Sequence, residues 1–135
     1  MKGALLERYG TTKRSDIAEV VFSDRGELAW LEALLHPRVV THYLKWRERQ
    51  TAPLAVTEVP LLYETGGDAR FDKVVVITAP ENVRRERSQA VLDQREARFI
   101  AEDEKMARAD FAYVNDGSLD DLDAFVAGVM EQLEG

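Results

Sequence analysis

The residues best equipped for chemistry are the arginines of 81-ENVRRER-87 and 95-REAR-98, with Lys105 and Arg108 just beyond them. Arg84 and Arg87 are three residues apart, as are Arg95 and Arg98, so on a helix each pair projects from one side. Guanidinium groups are planar donors that meet two oxygens together, which suits phosphate, and phosphoryl transfer depends on such charge stabilisation. The interleaved Glu81, Glu86, Asp93, Glu96, Glu102, Asp103 and Glu104 support another reading, a solvated helix laced with weak ion pairs. At the level of residue types both remain open.

Carboxylates stand where strands are expected to end. Glu58 and Glu64 flank the exit of a strand candidate at 54–59, and open α/β sheets bind ligands outside the carboxyl ends of their strands. Each could instead be a solvated side chain, and Pro60 shapes the exit from the strand. His36 could donate to a phosphate or cap a turn beside Pro37, and its spacing to His42 matches no metal-ligand motif. Gly66 and Gly67 in 65-TGGD-68 do not form a phosphate loop, because no Lys-Ser or Lys-Thr follows and Lys73 opens a strand. No metal site is expected from these patterns.

The elements that must position these groups follow from periodicity. The first fifty residues read as helical: a helix carrying Ile17, Val20 and Val21, a second over 23-SDRGELAWLEALL-35, and a third opened by Pro37 and running to Arg49. Strands are predicted at 54–59 and 72–78. The β-branched run 74-VVVIT-78 is the kind buried by helices on both faces of a parallel sheet. Residues 81–108 read as one or two helices, broken near 90. A short strand at 111-FAYV-114 and a turn at 115-NDG-117 follow. Ser118 and Asp121 then form an N-terminal box ahead of a helix whose stripe is Leu119, Leu122, Phe125, Val126, Val129, Met130 and Leu133. The fold class is α/β, with a parallel sheet and a helical N-terminal region.

Composition narrows the partners. With 25 acidic against 18 basic residues, the formal net charge is -7. That field repels nucleic acid, which needs counterion release from a basic surface. No apolar run spans a membrane, and no N-terminal apolar stretch precedes a small-residue cleavage site, so a cytoplasmic location is expected. The chain has no cysteine, which removes disulfides and thiolate chemistry. A chain of 135 residues fits a single domain, in which 11–50 forms a helical region and 81–108 a lid-like helical one.

Taken in order, 17-IAEVVFSD-24, 31-LEALLHPRV-39, 59-VPLLYE-64, 72-DKVVVITAPENVRRER-87 and 95-REARFIAEDEKMARADFAYVNDGSLDDL-122 resemble the dephospho-coenzyme A kinase family nearly from end to end. The resemblance implies a three-layer P-loop kinase core that uses ATP and Mg2+ to phosphorylate the 3′-hydroxyl of dephospho-coenzyme A. That is the last step of coenzyme A synthesis. It implies an acceptor side formed by His36 and by Pro60, Leu61, Leu62 and Glu64, with Tyr63 where the family has phenylalanine. It implies phosphate-lid arginines at Arg84 and Arg87, with Arg95 and Arg98 as further candidates. Asn115, Gly117 and Ser118 would then lie near the nucleotide base.

The resemblance begins late in the family's pattern. The first strand, its phosphate loop and lysine, and the second strand with its catalytic aspartate have no counterpart in these 135 residues. The fold expected is therefore a core truncated by its first two strands. Strand 54–59 would pair directly with strand 73–78, or a second copy or a complementing chain would fill the gap. The chain by itself is expected to lack kinase activity. The alternative is a non-catalytic module that binds coenzyme A or a nucleotide, or that serves oligomerisation.

Overall fold

A computed structural model describes residues 1–87 and 100–135, which form two compact units, Met1–Ala55 and Val56–Gly135. Arg95 and Arg98, and the predicted break near 90, lie outside the described residues.

The first unit is helical: α1 (Lys2–Tyr9), α2 (Arg14–Ser23) and α3 (Arg25–Glu48). Leu5, Ile17 and Val21 are buried together, and Tyr9, Leu28, Trp30, Leu31 and Leu34 pack around them. Gly10 ends α1 in the left-handed conformation that glycine adopts without a Cβ clash, its N–H donating to Leu6 O. Asp24 caps α3 by accepting from Gly26 N and Glu27 N. Arg8 forms a two-pronged ion pair with Glu27, at 2.7 and 2.8 Å, and stacks 4.5 Å above the Trp30 ring. That pairing ties α1 to α3 with charge and aromatic area together.

The two helices expected on either side of Pro37 are one helix of 24 residues, with Pro37 in its interior. Proline lacks only its own N–H and removes a single hydrogen bond, so strong helix formers on both sides carry the helix through it. Thr41 Oγ1 donates to the Pro37 carbonyl at 2.8 Å within the same stretch. His36 is therefore a mid-helix, exposed residue and not a residue at a helix start.

The second unit is the α/β part. Among the described residues its sheet has two parallel strands, β1 (Val75–Thr78) and β2 (Phe111–Val114), in the register Val75↔Phe111 to Thr78↔Val114. Between them lie α4 (Glu81–Arg87) and α5 (Glu102–Arg108), and α6 (Leu119–Glu134) follows β2. A parallel pair needs such a long helical crossover, as the 2-to-3.6 change in periodicity predicts. α5 packs against both strands. α6 packs through Phe125, stacked on Tyr113 with centroids 4.6 Å apart, and through the buried Val129.

Residues 54–59 form no strand, and they do not pair with β1. Val56 is 75% exposed there. A short extended segment has no stability without a ladder partner, and β-propensity alone does not supply one. The β-branched run of β1 is also not covered on both faces, since Val75 and Ile77 are 41% and 50% exposed. Only alternate residues turn inward.

Asp110 sets the ladder. Its Oδ2 accepts from Val74 N at 2.9 Å, its Oδ1 from Lys73 Nζ at 3.2 Å, and its own N–H donates to Val74 O at 3.0 Å. At the other end Asn115 N donates to Thr78 O at 2.6 Å. Ser118 Oγ accepts from Asp121 N while Asp121 Oδ2 accepts from Ser118 N, the reciprocal box expected from the sequence. Replacing Ser118 with alanine is expected to lower stability by about 1 kcal/mol, read as a lower denaturant midpoint at unchanged m. Gly66 has φ 66, so Gly66→Ala is expected to cost about 1 kcal/mol in the same experiment.

Candidate functional site

In the second unit a cleft of about 340 Å³ opens at the carboxyl ends of β1 and β2. Its walls are Val76, Ile77, Thr78 and Ala79 of β1 and its exit, Arg84 of α4, Glu102 and Lys105 of α5, and Asn115 after β2. Strand ends are where a parallel sheet leaves backbone groups without a following ladder, so polar ligands gather there. The location follows from β1 and β2 ending together in register.

The cleft is charged, and the charges are organised. Glu102 accepts from Arg84 Nη1 at 3.2 Å with one carboxylate oxygen and from the Thr78 hydroxyl with the other. Lys105 pairs with Glu64, whose Oε1 also accepts from Ile100 N at 3.2 Å. Burial pushes the Glu64 carboxyl upward. The bond from Lys105, backbone donors including Ile100 and the nearby ammonium outweigh it and hold the group below its ordinary value. Arg87 Nη1 reaches Asn115 O at 3.0 Å. Arg85 is turned onto Glu81 one helical turn back.

The 60-PLLYE-64 stretch is a turn, not a strand end. Leu61 has φ 57, a left-handed conformation that costs a residue with a Cβ about 1–2 kcal/mol. Thr65 offsets part of that cost by donating to Leu61 O through both its N–H and its hydroxyl, at 3.2 and 2.9 Å. Strain of this kind collects where a backbone is held for a purpose. Tyr63 is buried beneath the Arg108 guanidinium, 4.4 Å from its ring centre. Burial and the neighbouring Asp68 carboxylate both push the Tyr63 phenol up.

Of the residues singled out from sequence, the structure brings Arg84 and Asn115 into the cleft wall and Arg87 onto Asn115. Glu64 reaches the same region through Lys105. Pro60, Leu61 and Leu62 lie in the strained turn leading to Glu64. His36 belongs to the first unit. Gly117 has a structural reason of its own: a Cβ there would sit 2.6 Å from Asp121 Oδ2, against the box that starts α6. Sequence reasoning missed Thr78 and Glu102 as cleft residues, and named Lys105 only as a cation beyond the arginines. Glu102 and Lys105 are three apart on α5, but spacing could not say which way that side of the helix faces.

The family model for dephospho-CoA kinase matches residues 2–121. The chain belongs to the dephospho-CoA kinase family. It is 42% identical over 123 residues to a dephospho-CoA kinase of Chlamydia abortus, covering 83% of this chain and 61% of that one. It is 37% identical over 131 residues to one of Rhodopseudomonas palustris, covering 90% and 66%. The crystal structure of TT1252 from Thermus thermophilus aligns with a TM-score of 0.77 at 35% identity, covering 99% of this chain and 75% of that one. The chain thus spans somewhat under two thirds of the length of these curated family members.

The Glu64–Lys105 pair makes a direct prediction. In Lys105→Met the Glu64 carboxyl loses its first favourable partner while burial remains, so its pKa is expected to rise, as read by NMR titration of the side-chain carboxyl. In the parent the folded pKa is depressed. The stabilisation from Glu64 is then complete above the unfolded value, ~4.3, and is lost as pH falls through the folded value. The parent should lose this contribution as pH falls from the unfolded value through the folded one. In Lys105→Met, with the folded pKa raised, the acid-induced loss due to Glu64 should shrink or reverse, and the variant should be less stable than the parent mainly at neutral pH.

Proposed function

We propose that these residues carry the acceptor and lid parts of a dephospho-CoA kinase. The reaction is transfer of the ATP γ-phosphoryl group to the 3′-hydroxyl of dephospho-coenzyme A, closing coenzyme A synthesis. The observation that carries this reading is the charged cleft at the paired strand ends, lined by Arg84 and Lys105, in a chain of this family.

Each group has a physical role in that scheme. Arg84 and Arg87 meet phosphate oxygens with planar donors, and Asn115 and Gly117 shape the nucleotide side. Pro60, Leu61 and Leu62 present the acceptor turn, and His36, in the first unit, is the candidate that the family pattern adds. Glu64 anchors that turn to α5. Through its ion pair with Lys105, Glu64 positions that ammonium.

ATP is the second substrate, and family kinases work on it with Mg2+. Among the described residues no three His, Asp or Glu side chains gather to hold a metal ion. No Gly-rich loop ending in Lys-Ser or Lys-Thr occurs in these 135 residues. Losing even one donor that stabilises developing charge costs about 10²–10³ in rate. We therefore infer that these 135 residues by themselves bind the acceptor without appreciable phosphoryl transfer.

Calorimetric titration with dephospho-coenzyme A, then with Mg·ATP, followed by an assay of ADP release, tests this. Heat with dephospho-coenzyme A is expected, weakened roughly tenfold by His36→Ala or Glu64→Gln, with no sustained ADP release. Silence toward dephospho-coenzyme A would overturn the acceptor site and leave a non-catalytic module, its role in self-association or in pairing with a complementing chain. Steady ADP release from the chain alone would overturn the inactivity.

A further inference from the structure

We propose that Glu102 is a built-in competitor for the anion position at the end of β1, holding Arg84 and the Thr78 hydroxyl until a phosphoryl oxyanion displaces it. This rests on reading Arg84 as a phosphate-binding arginine, and it adds the residue that sets how tightly Arg84 binds.

The geometry carries the inference. One Glu102 oxygen meets Arg84 Nη1 at 3.2 Å and the other meets the Thr78 hydroxyl. A single carboxylate thereby joins the end of β1, α4 and α5, with a cation on one oxygen and a hydroxyl on the other. Two oxygens of a terminal phosphoryl group present the same acceptors at similar spacing and carry more charge. Lys105, one turn along α5, lines the same cleft.

Exposure decides which contact yields. The Arg84 and Glu102 side chains are 32% and 45% exposed, whereas Lys105 and Glu64 are 20% and 11% exposed. A half-exposed pair is weakly coupled and screened by solvent, so a polyanion can replace its carboxylate. The more buried pair resists exchange, because separating it would leave a charge without its partner away from water. Glu102 gives way and Glu64 stays. The exchange exposes Glu102 to solvent and keeps Arg84 compensated throughout, so the lid arginine never stands in the cleft without a counter-charge.

Inorganic tripolyphosphate, which carries neither acceptor nor base, is the probe, titrated calorimetrically into the 135-residue chain at low salt. Glu102→Gln keeps the size and an acceptor for Thr78 but removes the charge, and it should bind roughly fivefold tighter than the parent. Glu104 lies on the same helix outside the cleft wall, against Arg108 at 3.7 Å. Glu104→Gln makes the same change in net charge and should leave affinity within about twofold. Adding Arg84→Ala to Glu102→Gln should abolish the gain.

Equal affinity in the parent and Glu102→Gln overturns the competition. If Arg84→Ala still weakens both, the phosphate-binding role of Arg84 survives that failure. An equal gain in Glu104→Gln, or a gain that persists without Arg84, also overturns it. So does absence of tripolyphosphate binding in every variant. Silence of the parent toward dephospho-coenzyme A bears only on the acceptor site.

Discussion

The parallel pairing of β1 with β2 is the constraint on which the second unit depends. Two four-residue strands make a short ladder, and such a ladder is marginal unless its ends are held and a face is covered. Asp110 holds one end by accepting from Val74 and Lys73. Those donors, the backbone of Val74 first, keep its carboxyl below the ordinary range. Asn115 holds the other end through Thr78 O. With both ends tied, the strands finish level, and Thr78 and Asn115 come to one cleft. A slip of one residue would move every inward side chain outward and separate those two.

Charge organises the cleft more than net charge suggests. The chain is acidic overall, yet the two cations in the cleft wall each meet a specific carboxylate, Arg84 with Glu102 and Lys105 with Glu64, and along α4 Arg85 meets Glu81. These pairs differ in kind. Exposed ones contribute little to stability and exchange readily, while the more buried one fixes a turn to a helix. The ion-pair reading and the phosphate reading of the arginines are therefore not exclusive. Under the proposed exchange, the Glu102 carboxylate that holds Arg84 occupies the position an anion would take.

The 60-PLLYE-64 turn shows how a local rule is broken where context over-determines the backbone. Leucine is a poor choice for a left-handed residue, yet Leu61 adopts it, with its carbonyl doubly engaged by Thr65. The next residues then point Tyr63 inward beneath Arg108 and aim Glu64 at Lys105.

By itself the sequence determined what short-range physics controls. The helical first fifty residues, the strand at Phe111–Val114, the Ser118–Asp121 box and the Leu122, Phe125, Val129, Met130 and Leu133 part of the α6 stripe follow from spacing and capping within a few residues, whereas Leu119 and Val126 of that stripe are exposed. The order of five motifs was enough to indicate the family. What needed the tertiary structure was everything that depends on a partner far along the chain. Residues 54–59 have strand-like composition but no ladder partner, so they are not a strand. Pro37 reads as a helix start, yet the flanking turns carry one helix through it. Glu102 and Lys105 read as part of a solvated helix until α5 is laid against β1 and β2. Hydrogen bonds within one helical turn are encoded locally, whereas the direction a helix face takes is decided by what it packs against.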